Sequence, residues 1–332
     1  QAEDGIRDSV ASRGLGDVYK RQILDGGMGQ ELLNRGLKPR GTLWSAEALI
    51  KEEYHQLVID THLDFIYSGA EVIVTNTFTA RKGRLIQNNC LDFFESINKK
   101  AVELALQARD ISKKNVLIAG GLPNQKQTYS ADLGDDLQEI KSRFNEQAFF
   151  LKDNIDFFYL DVIGSGTECE IALESIDKYN LPVLVGVHVK DNGKLPSGEN
   201  ITQIVHDYQN DKWLGILTAC VSPTAYELVK NELKTFNLPY GFKLNAFDKI
   251  PDNYVVTSAD SWGTEGNPNK ILGINKDLDE GKFFNVVKNY MNEGATILGG
   301  CCEIKPSHIK ACLLYTSPSP RDATLSRMPS SA

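Results

Sequence analysis

Short apolar runs alternate with longer amphipathic stretches along most of the chain. The runs fall at 23–25, 71–75, 116–120, 157–162, 183–188, 214–219, 240–245 and 295–298, most of them rich in Val, Ile, Leu or Phe. Short continuous runs of this kind suit strands buried on both faces of a parallel sheet. Between them lie helical patterns over 46–67, 93–113, 137–153, 168–178, 201–208, 223–236 and 279–293. Ser222-Pro223 opens one of these with proline at the first helical position.

Eight strands interleaved with helices predict a single α/β domain, a (β/α)8 TIM-type barrel. A doubly wound sheet is the alternative. Its first turn carries a GxGxxG spacing, which Asp25-Gly26-Gly27-Met28-Gly29 lacks. No repeat recurs at a period of about 20–50 residues, and no linker divides the core. The longest irregular stretch, 248–275, is predicted to form an extended loop after the seventh strand.

The ends break the pattern. Residues 1–22 show no sustained period, and 313–332 are rich in Ser and Pro. Both strings resemble translated adapter sequence and are expected to be non-native tails outside the fold. The barrel is therefore expected over 23–312.

Composition narrows the function. The 332 residues carry 36 Lys+Arg against 44 Asp+Glu, a net charge of −8, which argues against a nucleic-acid partner. No apolar run reaches about 18 residues, so no membrane span is expected. Six cysteines are too few for a disulfide scaffold, but two are adjacent. That pairing points to metal or redox chemistry in a reducing compartment, so a cytoplasmic location is expected.

In a (β/α)8 barrel the active site sits at the C-terminal ends of the strands. The residues leaving the strands here are Asp25, Thr75-Asn76-Thr77, Asp161, His188, Cys220, Asn245 and Gly299-Gly300-Cys301-Cys302. Cys220, Cys301 and Cys302 leave strands two apart, so they can face one ion. Three thiolates with one open position form the pattern of a catalytic zinc site. Gly299 and Gly300 would let the backbone turn sharply and aim both sulfurs inward. Inert buried cysteines or a vicinal disulfide are the alternatives. Cys90, Cys169 and Cys312 are expected to be structural.

Asp25 and Asp161 can each fix a ligand ammonium. Gly26-Gly27-Met28-Gly29 would present N–H groups to a ligand carboxylate, and an amino-acid substrate carries both charges. The competing role for Asp25 is to cap a helix beginning near Gln30. His188 reads as a proton shuttle, a zinc ligand or a hydrogen-bonded histidine inside the barrel. Lys243 is a candidate Schiff-base lysine. Trp44 either closes over a substrate or packs.

Several of these segments together resemble the homocysteine S-methyltransferase family. They are Asp25-Gly-Gly-Met-Gly-Gln-Glu-Leu32 with Arg35-Gly36, Leu43-Trp-Ser45, Thr75-Asn-Thr-Phe78, Cys220 before Ser222-Pro223, and Gly299-Gly-Cys-Cys302 followed by Pro306 and His308-Ile309. The resemblance implies a barrel holding Zn2+ through Cys220, Cys301 and Cys302. It implies homocysteine, or a close thiol or selenol analogue, bound through its sulfur. Asp25 and Asp161 would hold the amino group, the backbone at Gly27 and Met28 the carboxylate, and Asn76 would join the substrate-binding set. The methyl donor would be S-methylmethionine, S-adenosylmethionine or a betaine-type onium compound, and the product methionine. Both partners are small molecules. Alternatives are the homocysteine-binding module of a truncated cobalamin-dependent methionine synthase, a Schiff-base aldolase using Lys243, and a non-catalytic zinc-binding barrel.

Three positions depart from the family pattern. Asp161 stands where Glu is common, and Glu303 where Gly is common. Asn245-Ala-Phe-Asp248 replaces the usual Asn-Ser-Gly-Glu and borders the expected donor pocket.

Overall fold

The computed structural model describes residues 22–251, 254–256, 267 and 269–316. Of the tails expected over 1–22 and 313–332, residues 1–21 and 317–332 lie outside the described residues, as does most of the 257–268 stretch of the predicted loop. Gln22, expected in the first tail, belongs to the first strand instead.

Eight parallel strands form one sheet in the order β1-β8-β7-β6-β5-β4-β3-β2. They are β1 Gln22–Ile23, β2 Val72–Val74, β3 Leu117–Pro123, β4 Phe157–Ile163, β5 Val183–Val187, β6 Trp213–Val221, β7 Tyr240–Leu244 and β8 Ile297–Gly300. The two edge strands also meet. Leu24 bridges Val72 in parallel, and the Asp25 N–H donates to the Val72 carbonyl at 3.0 Å. The sheet thus closes into the (β/α)8 barrel that the alternating pattern predicts.

Side-chain alternation along the strands separates two buried apolar layers. Ile73, Ile118, Phe158, Val185, Ile216 and Phe242 belong to the layer that includes the helices. Leu24, Val72, Leu117, Phe157, Leu184 and Ile297 pack with one another, in a cluster that extends to Cys220 and Cys302. Both faces of the strands are therefore covered, which is why their sequences read as continuous apolar runs.

The helices start where the sequence offers a cap. Ser222 accepts from Ala225 N at the head of Pro223–Leu233. Asp279 accepts from Lys282 N at Glu280–Asn292, and Ser165 from Glu168 N at Gly166–Ile176. Each satisfies an N–H that has no partner within the first turn.

Four expectations need correction. The helix expected over 46–67 is broken into short turns and His55–Tyr67. Exposed Glu52 and Glu53 interrupt its apolar period, and Lys51 is extended (φ −97°, ψ 116°). β3 continues through Gly120-Gly121 to Pro123 rather than ending there. Gly299 and Gly300 lie inside β8 and make no sharp turn. Their smallness serves close packing instead: a Cβ on Gly300 would lie 2.3 Å from Ile304 Cγ2. Finally, the stretch expected to be unstructured from 313 begins as helix, because Pro306–Thr316 runs through it.

Candidate metal centre and substrate cleft

The three cysteines at the strand ends converge through strand register. Val221 of β6 pairs with Leu244 of β7, and Leu244 pairs with Gly300 of β8. Cys220, near the end of β6, and Cys301 and Cys302, just past β8, therefore flank the end of β7. Backbone bonds lock this arrangement: Cys301 N donates to Leu244 O at 2.6 Å, and Ala246 N to Cys302 O at 3.0 Å. Cys220 is the extra residue of a β-bulge between Ala219 and Val221, with φ +55°. A bulge re-aims one side chain relative to its strand, and here it is the thiol.

The result is a cluster whose three sulfurs all lie within 4.8 Å of one another. Cys220 Sγ is 3.8 Å from Cys302 Sγ, which is 3.9 Å from Cys301 Sγ. All six cysteines are free thiols, so no vicinal disulfide joins Cys301 and Cys302. Four sulfurs or their equivalents around a tetrahedral ion at about 2.3 Å would sit about 3.8 Å apart. The donor set therefore fits one tetrahedral metal ion of sulfur-seeking character.

Three thiols this close cannot all ionise without a cation. Burial disfavours the Cys220 thiolate, but donation from Cys301, Cys302 and Tyr129 outweighs it and lowers its pKa well below the usual value. Donation to Cys220 holds the Cys301 and Cys302 thiols well above theirs. A bound cation would reverse that balance by taking the repulsion away.

The cluster lies in the wall of a cleft of about 770 Å³, counted to its open mouth. Asp25, Gly27, Met28, Asn76 and Asp161 line the same cleft, so all eight site residues expected from the sequence are brought together there. Asp161 is half-buried at the cleft wall, and desolvation pushes its pKa up to about 6 against the opposing charge of Lys243. Asp25 does not cap the helix Met28–Asn34, whose N-cap is Gly27. Its carboxylate instead accepts the Val74 N–H and the Lys243 ammonium, each at 2.8 Å. Asn76 Nδ2 donates to Ser45 O at 3.0 Å. The Gly27 N–H is engaged by Ile304 O at 2.8 Å, and the Met28 N–H reaches back to Gly26 O. The anion nest expected from these two N–H groups is thus already occupied by the protein's own carbonyls.

Strained backbone gathers around the same cleft. Trp44 (φ +48°), Tyr129 (+65°) and Cys220 line it, Val162 (+63°) follows Asp161, and Glu303 (+66°) follows Cys302. Left-handed backbone at a β-branched residue such as Val162 is costly and concentrates at functional sites.

A profile of the family described as homocysteine S-methyltransferase matches residues 22–313. The chain belongs to this family. It is 23% identical to homocysteine S-methyltransferase 2 of Zea mays, over 98% of this chain and 96% of that one. It is 25% identical to homocysteine S-methyltransferase 2 of Saccharomyces cerevisiae, over 87% and 91% of the respective chains. Among solved structures it resembles the metallated form of the homocysteine methyltransferase MmuM from Escherichia coli. That match has a TM-score of 0.69 at 19% identity, covering 90% of this chain and 98% of that one.

In this member of the homocysteine S-methyltransferase family, two residues support Cys220: Asn245, seen at a strand end in the sequence, and Tyr129, which no motif marks. Asn245 Nδ2 donates to the Cys220 carbonyl at 2.7 Å, holding the bulge. The Tyr129 hydroxyl lies 3.2 Å from Cys220 Sγ and reaches it from a loop 91 residues upstream. Groups that hydrogen-bond a metal ligand typically cost about 10–100-fold in metal affinity when removed. Tyr129→Phe is therefore expected to weaken metal binding at the three thiols by about tenfold or more, read by competition with a colorimetric chelator. Unchanged affinity would remove Tyr129 from the site.

The remaining candidates separate cleanly. His188 Nδ1 lies 3.2 Å from Ala219 O and its ring packs on Tyr129 at 4.5 Å, so it supports the site without joining the thiols. Burial disfavours the Lys243 ammonium, yet the charges of Asp25 and Asp161 prevail and raise its pKa. A Schiff-base lysine needs the opposite, a lowered pKa and a free amine. Trp44 is packed in place: it is buried, donates to Gln30 Oε1 at 3.0 Å, and lines the cleft. Cys90, Cys169 and Cys312 are buried and stand outside the cluster.

Proposed function

We propose that this protein transfers a methyl group from an onium donor to the sulfur of homocysteine, giving methionine, with zinc held by Cys220, Cys301 and Cys302. The observation that carries this reading is the tetrahedral spacing of three thiols in the wall of a cleft that also holds the carboxylates of Asp25 and Asp161. When bound, zinc supplies an open coordination position and the positive charge that keeps an acceptor thiol ionised at neutral pH. The chain's own residues do the rest. Asp161 offers its carboxylate to the acceptor's ammonium. Tyr129 and Asn245 hold Cys220 in place. Trp44, Phe78, Tyr129, Phe247 and Tyr254 line the cleft with aromatic rings. Such rings attract a sulfonium or quaternary ammonium centre over their faces. That suits S-methylmethionine, S-adenosylmethionine or a betaine-type donor. The new carbon–sulfur bond forms as the methyl–onium bond breaks. Its electron pair leaves with the donor, which departs with one less positive charge. Holding both sulfur and methyl carbon in line provides much of the acceleration.

A donor panel tests the reading. Homocysteine is incubated with S-methylmethionine, S-adenosylmethionine or glycine betaine and scored for methionine. At least one donor is expected to give product, to stop with a chelator and to resume on adding zinc. A zinc-loaded protein that makes methionine from none of them would overturn it.

A further inference from the structure

The cleft contains an ion pair that the chemistry above does not use. Lys243 Nζ lies 2.8 Å from Asp25 Oδ1, with the two side chains 6% and 2% exposed. The other carboxylate oxygen of Asp25 takes the Val74 N–H. Both oxygens of Asp25 are thus engaged by the protein itself. The ammonium also sits 5.6 Å from the centre of the Tyr159 ring and feels the charge of Asp161. Among the described residues lining the cleft, Asp25 and Asp161 supply the carboxylates and Lys243 the cationic side chain.

Buried Asp25 and half-buried Asp161 without a counter-ion would demand a cationic ligand, because an unpaired charge withdrawn from water is costly. Lys243 meets half of that demand internally. A ligand ammonium approaching Asp25 meets a like charge already in place, and such repulsion is how sites lose preference for a group. We propose that Lys243 is a specificity-determining residue that stands in for the acceptor's ammonium at Asp25. It thereby opens the site to thiol carboxylates that lack an α-amino group. The reaction is unchanged for them: the thiol gives up its proton, its sulfur gains the methyl, and a methyl thioether carboxylate results. This inference rests on the thiol-methylation reading above but concerns acceptor recognition alone.

The test compares homocysteine with γ-mercaptobutyrate, the same skeleton without the amine. Kd is measured by calorimetry on zinc-loaded protein without donor, and kcat/KM with whichever donor works best. The protein is expected to prefer homocysteine by less than about tenfold in both measures, one step of charge recognition being readily worth that much. Lys243→Met is expected to raise the preference to about 100-fold, since Asp25 becomes available to a ligand ammonium. A preference above about tenfold in the unmodified protein, or an unchanged ratio in folded Lys243→Met, would overturn the assignment. Should Lys243→Met fail to fold, the ratio in the unmodified protein decides. The two readings fail separately. Binding ratios as expected with no methylation of either thiol would sink the methyl-transfer reading and leave Lys243 in its role. Methionine formation with strong rejection of γ-mercaptobutyrate would do the reverse.

Discussion

Cys220→Ser is expected to abolish methionine formation and leave the protein without stably bound zinc. The substitution changes one atom. Serine fits the volume of the thiol and the left-handed backbone at φ +55° no worse than cysteine does. What it loses is a soft, ionisable sulfur facing Cys302 at 3.8 Å. A serine hydroxyl stays protonated at neutral pH and is a poor zinc ligand beside two thiolates. Removing a group that only hydrogen-bonds a ligand already costs about 10–100-fold in affinity, so removing the ligand itself should exceed that range. Turnover should fall at least about 1,000-fold on the same reasoning. Zinc content after dialysis and methionine yield are measured side by side, with thermal unfolding as the check on the fold. Cys90→Ala is the comparison, because Cys90 is buried outside the cluster. It should lose some stability and keep its zinc. Retained turnover in Cys220→Ser would remove the metal assignment altogether.

Much of this site was legible before the structure, and the reason is topological. A parallel barrel delivers the C-terminal ends of all its strands to one rim, so residues distant in sequence can be gathered by counting strands. That count brought Asp25, Asn76, Asp161, Cys220, Cys301 and Cys302 together, and all of them line one cleft. Local signals were equally readable where the physics is local. Ser222-Pro223 marks a helix start because the cap and the fixed φ of proline act within one turn.

Long-range features left no such trace. Tyr129 reaches Cys220 across 91 residues, and nothing around it marks the contact. The bulge that aims Cys220 depends on the register of β6 against β7, which a run of apolar residues does not specify. Lys243 read as a candidate nucleophile because its partner Asp25 is 218 residues away. Glycines were misread for a related reason. Gly299-Gly300 look like a turn in a sequence, and Gly120 like the end of a strand, since glycine is permissive there. In the barrel they are strand residues kept small by neighbours from other strands and loops. A Cβ on Gly120 would lie 2.5 Å from Ile155 Cδ1.

One glycine of the first motif should be as sensitive as a ligand. Gly27 has φ −80° and ψ 76°, a conformation that does not require glycine. Its constraint is steric: a Cβ there would lie 2.7 Å from Cys301 O, 3.1 Å from Glu303 N and 3.2 Å from Cys302 Cα. All three are backbone atoms, so no side chain can swing away. Gly27→Ala must therefore push the β1 loop and the double-cysteine loop apart. Misplacing a reacting group by about 1 Å can cost about 100-fold in rate, and a fall of that order in kcat/KM is expected. Zinc affinity should drop with it, because the added Cβ presses on the backbone of Cys301 and Cys302 and strains the bonds to Leu244 and Ala246 that set them against Cys220. Overpacking of this kind should also destabilise the fold by about 1–3 kcal/mol. Gly281→Ala supplies the control. Its nearest neighbour to an added Cβ is Asp279 Oδ1 at 3.5 Å, an ordinary contact within a helix. There alanine should stabilise slightly through its better helix propensity. If Gly27→Ala kept both zinc affinity and turnover, close packing of the two loops would not be what holds the cysteine pair in register.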